Sequence, residues 1–317
     1  MSINEFLTGE SGMHKRMVFF LMSGTAHAPY LAVSLHTLRK HYQGPVTIHA
    51  WAESVDIARK IASDPRLGGE YIQAKLYDPP FKWKRNNQFG QKILIAQGWQ
   101  EEAKTVLYLD ADTTVHDSVN LLFEAAEDFG FCATRFNEWL SCGKTIKGRL
   151  NRLRGVSGIP DDLIDKCTTV GFPSVNGGVW ACRPNSPILE DWFDWTRRAS
   201  TDGHKVFIAD EAVLHLMLPK YMPSEQIVVA DDGGRWNCSP TKQSENLADK
   251  DVAIRHYHGD SNCRINKSLK GVALWWPLYE EALADNVGGI ADWIGEIDNG
   301  YLRQCEEHVN EHGIPKV

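Results

Sequence analysis

The chain has 317 residues, which suits one large α/β domain and allows at most two at about 150 residues each. A hydrophobic fraction of 43% with 24% charged residues is ordinary globular composition, so disorder is excluded as the dominant state and no disulfide or metal staple is needed for folding. The formal charge of −7, from 41 acids against 34 Lys plus Arg, excludes a surface that attracts nucleic acid or anionic membrane as a whole.

Residues 1–16 are polar and without periodicity, and read as a loose leader. Lys15 and Arg16 before the apolar run Met17–Met22, with Ala26-His27-Ala28 after it, imitate a secretory signal. The run is shorter than the roughly 7–15 residues of a secretory apolar segment and reads as a first strand, ending in Ser23-Gly24-Thr25. Leu31, Leu35 and Leu38 then recur at helical spacing before a strand at Val46–Trp51. A helix over Gln91–Trp99 leads into Thr105–Leu109, an unbroken apolar run suited to a strand buried on both faces. Strands follow at Phe129–Thr134 and, after a turn, within Ser174–Cys182; helices follow at Ile188–Arg198 and Asp210–Leu218. Val252–His256 is the last strand expected, and Trp275–Ala284 and Ile290–Val309 read as helices over the core. Alternating strands and helices predict a mostly parallel sheet. No repeat, low-complexity tract, linker or stretch of about 20 apolar residues interrupts the pattern, so no integral membrane contact is expected.

Seven cysteines (Cys132, Cys142, Cys167, Cys182, Cys238, Cys263 and Cys305) are odd in number and never spaced as C-x-x-C. That argues against a disulfide framework and a zinc cluster, and a reducing cytoplasm is the expected compartment.

The strongest chemical signal is Asp110-Ala111-Asp112, at the end of the buried strand, where ligands gather in open α/β sheets. In extended backbone residues i and i+2 share a face, and paired carboxylates suit Mg²⁺ or Mn²⁺ holding a diphosphate. The competing structural reading is an Asp that caps the next helix or makes an Asx turn. A calcium loop fails, because Val115 and Leu121 stand where Gly and an acid are required. The segment from Leu109 to Val115, with Ile227–Asp232 as a terminal acidic motif, also resembles haloacid dehalogenase-like phosphatases with Asp110 as nucleophile; those enzymes, however, carry that residue on the first strand. Gly143-Lys144-Thr145 hints at a phosphate loop but has Glu138 where its first Gly belongs. Around it lie Arg135, Lys144, Lys147, Arg149, Arg152 and Arg154, a docking patch for a phosphate-bearing acceptor or simply a solvated charged face.

Within Pro173–Val179, Asn176-Gly177-Gly178 brings an amide and close-approach glycines together, although Asn-Gly is also a common tight turn. Asp210-Glu211 opens a helix, where acids ordinarily cap it and favour its dipole. His256-Tyr257-His258-Gly259-Asp260 follows a strand and offers an imidazole as a third ligand beside two carboxylates.

In order, these motifs over Met17 to Arg264 resemble glycosyltransferase family eight, the glycogenin and bacterial lipopolysaccharide galactosyltransferase group. The resemblance implies an α/β GT-A (nucleotide-diphospho-sugar transferase) fold, with a single Rossmann-like, mixed, mostly parallel sheet flanked by helices over residues 17–265. Residues 266–317 would then be a helical extension packed on that core. It further implies a nucleotide-sugar donor, usually UDP-linked, Mn²⁺ (or Mg²⁺), and retention of anomeric configuration. On this reading Asp110, Asp112 and His256, with His258 as a rival, bind the metal. The donor set is Ser23, Gly24, Thr25, Lys92, Asp110, Ala111, Asp112, Gly177, Gly178, Gly259 and Arg264. Asn176, Asp210 and Glu211 are the catalytic candidates, Glu211 being a possible nucleophile. Two departures stand out: the family's Asp-Gln pair is Asp210-Glu211 here, and its His-x-x-Gly-x-x-Lys ends in Asn262, leaving Arg264 or Lys267 to supply the cation. The acceptor is open; the basic 135–154 stretch suits a phosphate-rich one such as a lipopolysaccharide core or modified DNA. A phosphatase and a sugar-nucleotide-binding protein without turnover are the alternatives.

Overall fold

The computed structural model describes residues 15–80, 90–136, 143–169, 172–201, 209–241, 247–257 and 268–316. Among these residues, seven strands form one mixed, mostly parallel sheet in the order β3 (Ile72–Leu76), β2 (Val46–Ala50), β1 (Lys15–Met22), β4 (Ala103–Leu109), β7 (Val175–Cys182), β6 (Phe131–Arg135) and β8 (Val228–Ala230), and two short strands, β5 (Thr113–Val115) and β9 (Ile254–His256), form a separate ribbon. The chain divides into two compact units: one of residues 1–17, 79–108 and 120–234, the other of 18–78, 109–119 and 235–317.

In the second unit, β1 (Lys15–Met22) pairs in parallel with β2 (Val46–Ala50), which pairs in parallel with β3 (Ile72–Leu76). The apolar run predicted as a strand is one, and Met17 to Met22 are buried because parallel strands are covered on both faces. Helix α1 (Ala28–Arg39) starts with Pro29 in its first turn, where the missing N–H costs nothing, and buries Leu31, Leu35 and Leu38. Helix α2 (Val55–Ala62) buries Val55, Ala58, Ile61 and Ala62 along one face. Strands β5 (Thr113–Val115) and β9 (Ile254–His256) pair antiparallel, Thr113 opposite His256.

The C-terminal helices differ from expectation. Helix α9 (Leu269–Ala284) begins where the Ser268 hydroxyl accepts from the Gly271 N–H. The continuous helix expected over Ile290–Val309 is broken instead: α10 (Ile290–Trp293) passes into a 3₁₀ turn, and a new helix, α11 (Gly300–His312), starts after Asn299. The Asn299 side chain accepts from the Leu302 N–H, and a cap of this kind starts a new helix. The same side chain donates to the Ala26 carbonyl at 3.0 Å, tying α11 to the turn after β1.

The first unit carries β4 (Ala103–Leu109), β6 (Phe131–Arg135), β7 (Val175–Cys182) and β8 (Val228–Ala230). Strand β6 pairs antiparallel with β7 and parallel with β8. Phe129, expected to begin a strand, is the last residue of helix α4 (Asn120–Phe129); Gly130, at φ 89°, ends the helix in a left-handed turn and β6 starts after it. The core is aromatic: Trp180 stacks on Tyr108 and Phe131 at 5.4 and 5.6 Å, and meets Trp192 edge-on at 5.2 Å. Helices α3 (Gln91–Gln97), α5 (Gly143–Asn151), α6 (Asp161–Thr169), α7 (Pro187–Thr201) and α8 (Ala209–Tyr221) complete this unit.

Candidate functional site

Two groups of buried polar side chains stand out, one in each unit. In the second unit, Asp110-Ala111-Asp112 is a turn rather than extended backbone: the Thr113 N–H donates to the Asp110 carbonyl at 3.2 Å, and the Thr113 hydroxyl to the same oxygen at 2.9 Å. The expectation of a shared strand face is therefore corrected, because the chain must reverse here to start β5. The carboxylates converge nonetheless. Asp110 and Asp112 approach His256 Nε2 at 3.4 and 3.3 Å, and the Tyr257 N–H donates to the Asp112 carbonyl at 3.0 Å, which locks the turn to the end of β9.

His256 is buried, and its Nδ1 lies 2.9 Å from the side-chain oxygen of buried Asn237. That oxygen only accepts, so Nδ1 carries a proton and Nε2 is the nitrogen facing the acids. Burial alone would lower the imidazole's pKa; the charge of Asp112, and hydrogen bonds to Asp110 and Asp112, outweigh it and push it up to about 10. Asp110, Asp112 and His256 each offer a ligand atom, all within 4.8 Å of one another. Two hard oxygens and one imidazole nitrogen, oriented from behind by Asn237, suit Mn²⁺ and also accommodate Mg²⁺. A second group, His36, Glu281 and Asp285, has similar spacing, but Lys40 Nζ already neutralises Glu281 at 2.7 Å.

In the first unit, Asn176-Gly177-Gly178 lies inside β7, so the tight-turn reading is excluded. The Asn176 amide donates to Glu211 Oε1 at 2.9 Å and its oxygen accepts from the Gly178 N–H at 2.7 Å. Asp210 and Glu211, in the first turn of α8, are buried at 1% and 4% exposure, and each carboxylate faces a cation. Lys92 on α3 pairs with Asp210 at 3.0 Å and lies 5.1 Å over the Tyr108 ring; Arg149 on α5 pairs with Glu211 at 2.6 Å. Acids in a first helical turn usually meet the dipole and solvent, so this pairing across four elements supersedes the capping reading.

Glycine at 177 leaves room for this pair. A Cβ there would lie 2.9 Å from Lys92 Nζ and 3.2 Å from Asp210 Oδ2. Burial pushes the Glu211 carboxyl up to about 7, against the opposing pull of Arg149 and Asn176. His215, one turn further along α8, donates from Nδ1 to the Glu211 carbonyl and accepts the Val175 N–H on Nε2, at 2.9 and 3.2 Å. Burial lowers its pKa to about 4 and keeps it neutral.

Ser23 and Gly24 follow β1, and Thr25 opens a 3₁₀ turn; all three are half-buried, with no heavy atom within 4 Å of a Cβ built on Gly24. The basic stretch is less free than its sequence suggests. Arg135 pairs with Asp231 and Arg154 with Asp165, while Arg149 is turned onto Glu211, leaving Lys147 and Arg152 exposed. Asp231, within the Ile227–Asp232 stretch read as a phosphatase's terminal acidic motif, is thus paired with Arg135. Glu138, His258, Gly259, Asn262, Arg264 and Lys267 lie outside the described residues, as does the side chain of Lys144. Sequence reasoning did not find Asn237, which no motif marks, or the inward role of Arg149, which charge alone assigned to the surface.

No known sequence family matches the chain, and no curated protein matches it by sequence. Solved structures do. A structure of the galactosyltransferase LgtC in complex with donor and acceptor sugar analogues superposes with a TM-score of 0.60 at 16% identity, covering 89% of this chain and 100% of that one. An active-site mutant of LgtC gives 0.58 at 17% identity, covering 84% and 95%. The apo form of mouse xyloside xylosyltransferase 1 gives 0.50 at 14% identity, covering 80% and 99%. The mixed sheet with flanking helices is thus the GT-A fold expected from the sequence, shared with these glycosyltransferases.

Proposed function

We propose that the chain is a metal-dependent, retaining glycosyltransferase that moves a sugar from a nucleotide-sugar, in the first instance a UDP-sugar, to an acceptor. The observation that carries this reading is the convergence of Asp110, Asp112 and His256, with the imidazole oriented by Asn237, on a fold shared with a galactosyltransferase solved with donor and acceptor sugar analogues. Asp110, Asp112 and His256 would hold Mn²⁺ (or Mg²⁺), which when bound supplies Lewis-acid stabilisation of a departing diphosphate. Ser23 to Thr25 are assigned to the nucleotide. Asp210 and Asn176 are assigned to the sugar, with Lys92 paired to Asp210 at 3.0 Å in a buried setting. An ionised oxygen beside the reacting sugar would stabilise positive charge developing on it. Cys132, Cys167, Cys182 and Cys238 are free thiols, which supports a reducing cytoplasm; among the described residues, no helix is long and apolar enough to cross a membrane.

Thermal shift with a panel of nucleotide sugars, with and without Mn²⁺, tests the donor, because a specific ligand raises apparent stability by mass action. Asp112→Asn should abolish metal-stimulated transfer and donor hydrolysis together; retained Mn²⁺-stimulated turnover in that variant would sink the assignment. Phosphate release from sugar phosphates without nucleotide would identify the phosphatase instead, and donor binding without turnover a binding protein. For the acceptor, exposed Lys147 and Arg152 suit a phosphate-rich molecule such as a lipopolysaccharide core or modified DNA. A steep loss of acceptor affinity with salt is the expected signature.

A further inference from the structure

We propose that Arg149 is a positioning residue: its guanidinium holds Glu211 as a charged, acceptor-only group, and Glu211 in turn fixes the orientation of the Asn176 amide. This rests on the transferase reading only for its catalytic consequence.

The geometry is a directed chain. Arg149 Nη1 donates to Glu211 Oε2 at 2.6 Å, Asn176 Nδ2 donates to Glu211 Oε1 at 2.9 Å, and the Gly178 N–H donates to Asn176 Oδ1 at 2.7 Å. An amide side chain has two ends of nearly equal shape, and only its partners decide which way it points. A carboxylate accepts and never donates, so it admits only Nδ2; the Gly178 N–H admits only Oδ1. A protonated carboxyl, or a glutamine amide, could offer a donor to Asn176 and weaken that choice.

Both carboxylate oxygens of Glu211 are therefore engaged, which fits an orienting role better than the nucleophile considered from the sequence. The cost is a buried carboxylate whose pKa burial raises to about 7, so the opposite charge of Arg149 decides whether it stays ionised near neutral pH. The other charged groups around α8 have their own partners. Lys92 is matched by Asp210, and His215 is held neutral. On α6, Asp162 faces Lys166, Asp161 and Asp165 face Arg154, and partial burial pushes the Cys167 thiol up to about 12. On α7, Asp191 bonds Lys220 and Asp194 bonds Arg197 and Arg198. Arg149 is the first cation to name for Glu211, and it comes from a stretch whose composition suggested surface docking.

The test is stability against pH, read by urea denaturation of wild type, Arg149→Met, Glu211→Gln and the double variant. Glu211 is protonated in the native state over a range where the unfolded chain has released that proton, so its burial destabilises the fold as pH rises. Removing Arg149 raises the native pKa further. Above about pH 7 the unfolding constant of Arg149→Met should then rise relative to wild type, by up to about tenfold per pH unit, and this pH-dependent gap should vanish in the double variant. A gap that stays constant with pH would mean that Arg149 only packs, and would overturn the pairing.

Orientation of Asn176 is read by a double-mutant cycle between Arg149→Met and Asn176→Ala at pH 8. Coupling of at least about threefold in the unfolding constant is expected, and its loss on the Glu211→Gln background; additive effects would overturn the positioning role. Neither measurement needs turnover. Wild-type turnover with nucleotide-sugar judges the transferase reading separately, and where it is present, Arg149→Met should lower kcat.

Discussion

His256 Nδ1 and the side-chain oxygen of Asn237 lie 2.9 Å apart, both buried, and this bond decides that Nε2 is the imidazole nitrogen presented to Asp110 and Asp112. A ligand imidazole held from behind binds more tightly than one free to rotate. Asn237→Ala should therefore weaken Mn²⁺ binding by about 10–100-fold while leaving all three ligands in place. Isothermal titration with Mn²⁺ reads this directly, and unchanged affinity would remove Asn237 from the site.

Lys92 and Asp210 form a buried pair at 3.0 Å, with 4% and 1% side-chain exposure. Breaking such a pair from one side leaves an uncompensated charge, so Lys92→Met should cost about 3–5 kcal/mol of stability. Adding Asp210→Asn should restore a large part of that loss, since the buried charge is then gone. Chemical denaturation of the single and double variants gives both numbers.

Gly177→Ala places a methyl group 2.9 Å from Lys92 Nζ and 3.2 Å from Asp210 Oδ2. The pair must move, and overpacking of this kind costs about 1–3 kcal/mol. Alanine at Gly148, which has open space around a Cβ, is the control expected to show no such loss. A Gly177→Ala protein with wild-type melting temperature would show that the Lys92–Asp210 pair yields easily.

His215 is buried and neutral, its pKa lowered to about 4 by burial and, secondarily, by Arg149. A histidine depressed in the native state prefers the unfolded chain once protonated, so its contribution is complete above about pH 6.5 and is lost as pH falls toward 4. The loss amounts to about 3 kcal/mol. His215→Gln should flatten this part of the stability–pH curve between pH 6.5 and 4, measured by urea midpoints.

How far the sequence anticipates the molecule depends on whether a feature is local. Met17–Met22 and Thr105–Leu109 are legible because a strand buried on both faces needs an unbroken apolar run. Val228–Ala230 and Thr113–Val115 are not, being too short to show a period. The Ile290–Val309 segment misleads for a related reason: its apolar spacing continues while Asn299 restarts the helix. Asp110 and Asp112 do converge with His256, but a turn, not a shared strand face, brings them together.

The sequence by itself determined which segments bury themselves and which residue types stand at the ends of buried strands, because both are written into local periodicity and composition. Only the tertiary structure decided the other partners: Asn237 for His256, Lys92 for Asp210, and Arg149 for Glu211 across 62 positions of chain. A buried charge needs an opposite charge within a few ångströms, wherever in the chain it comes from. Packing of distant segments chooses that partner, and packing leaves no periodic signature along the chain.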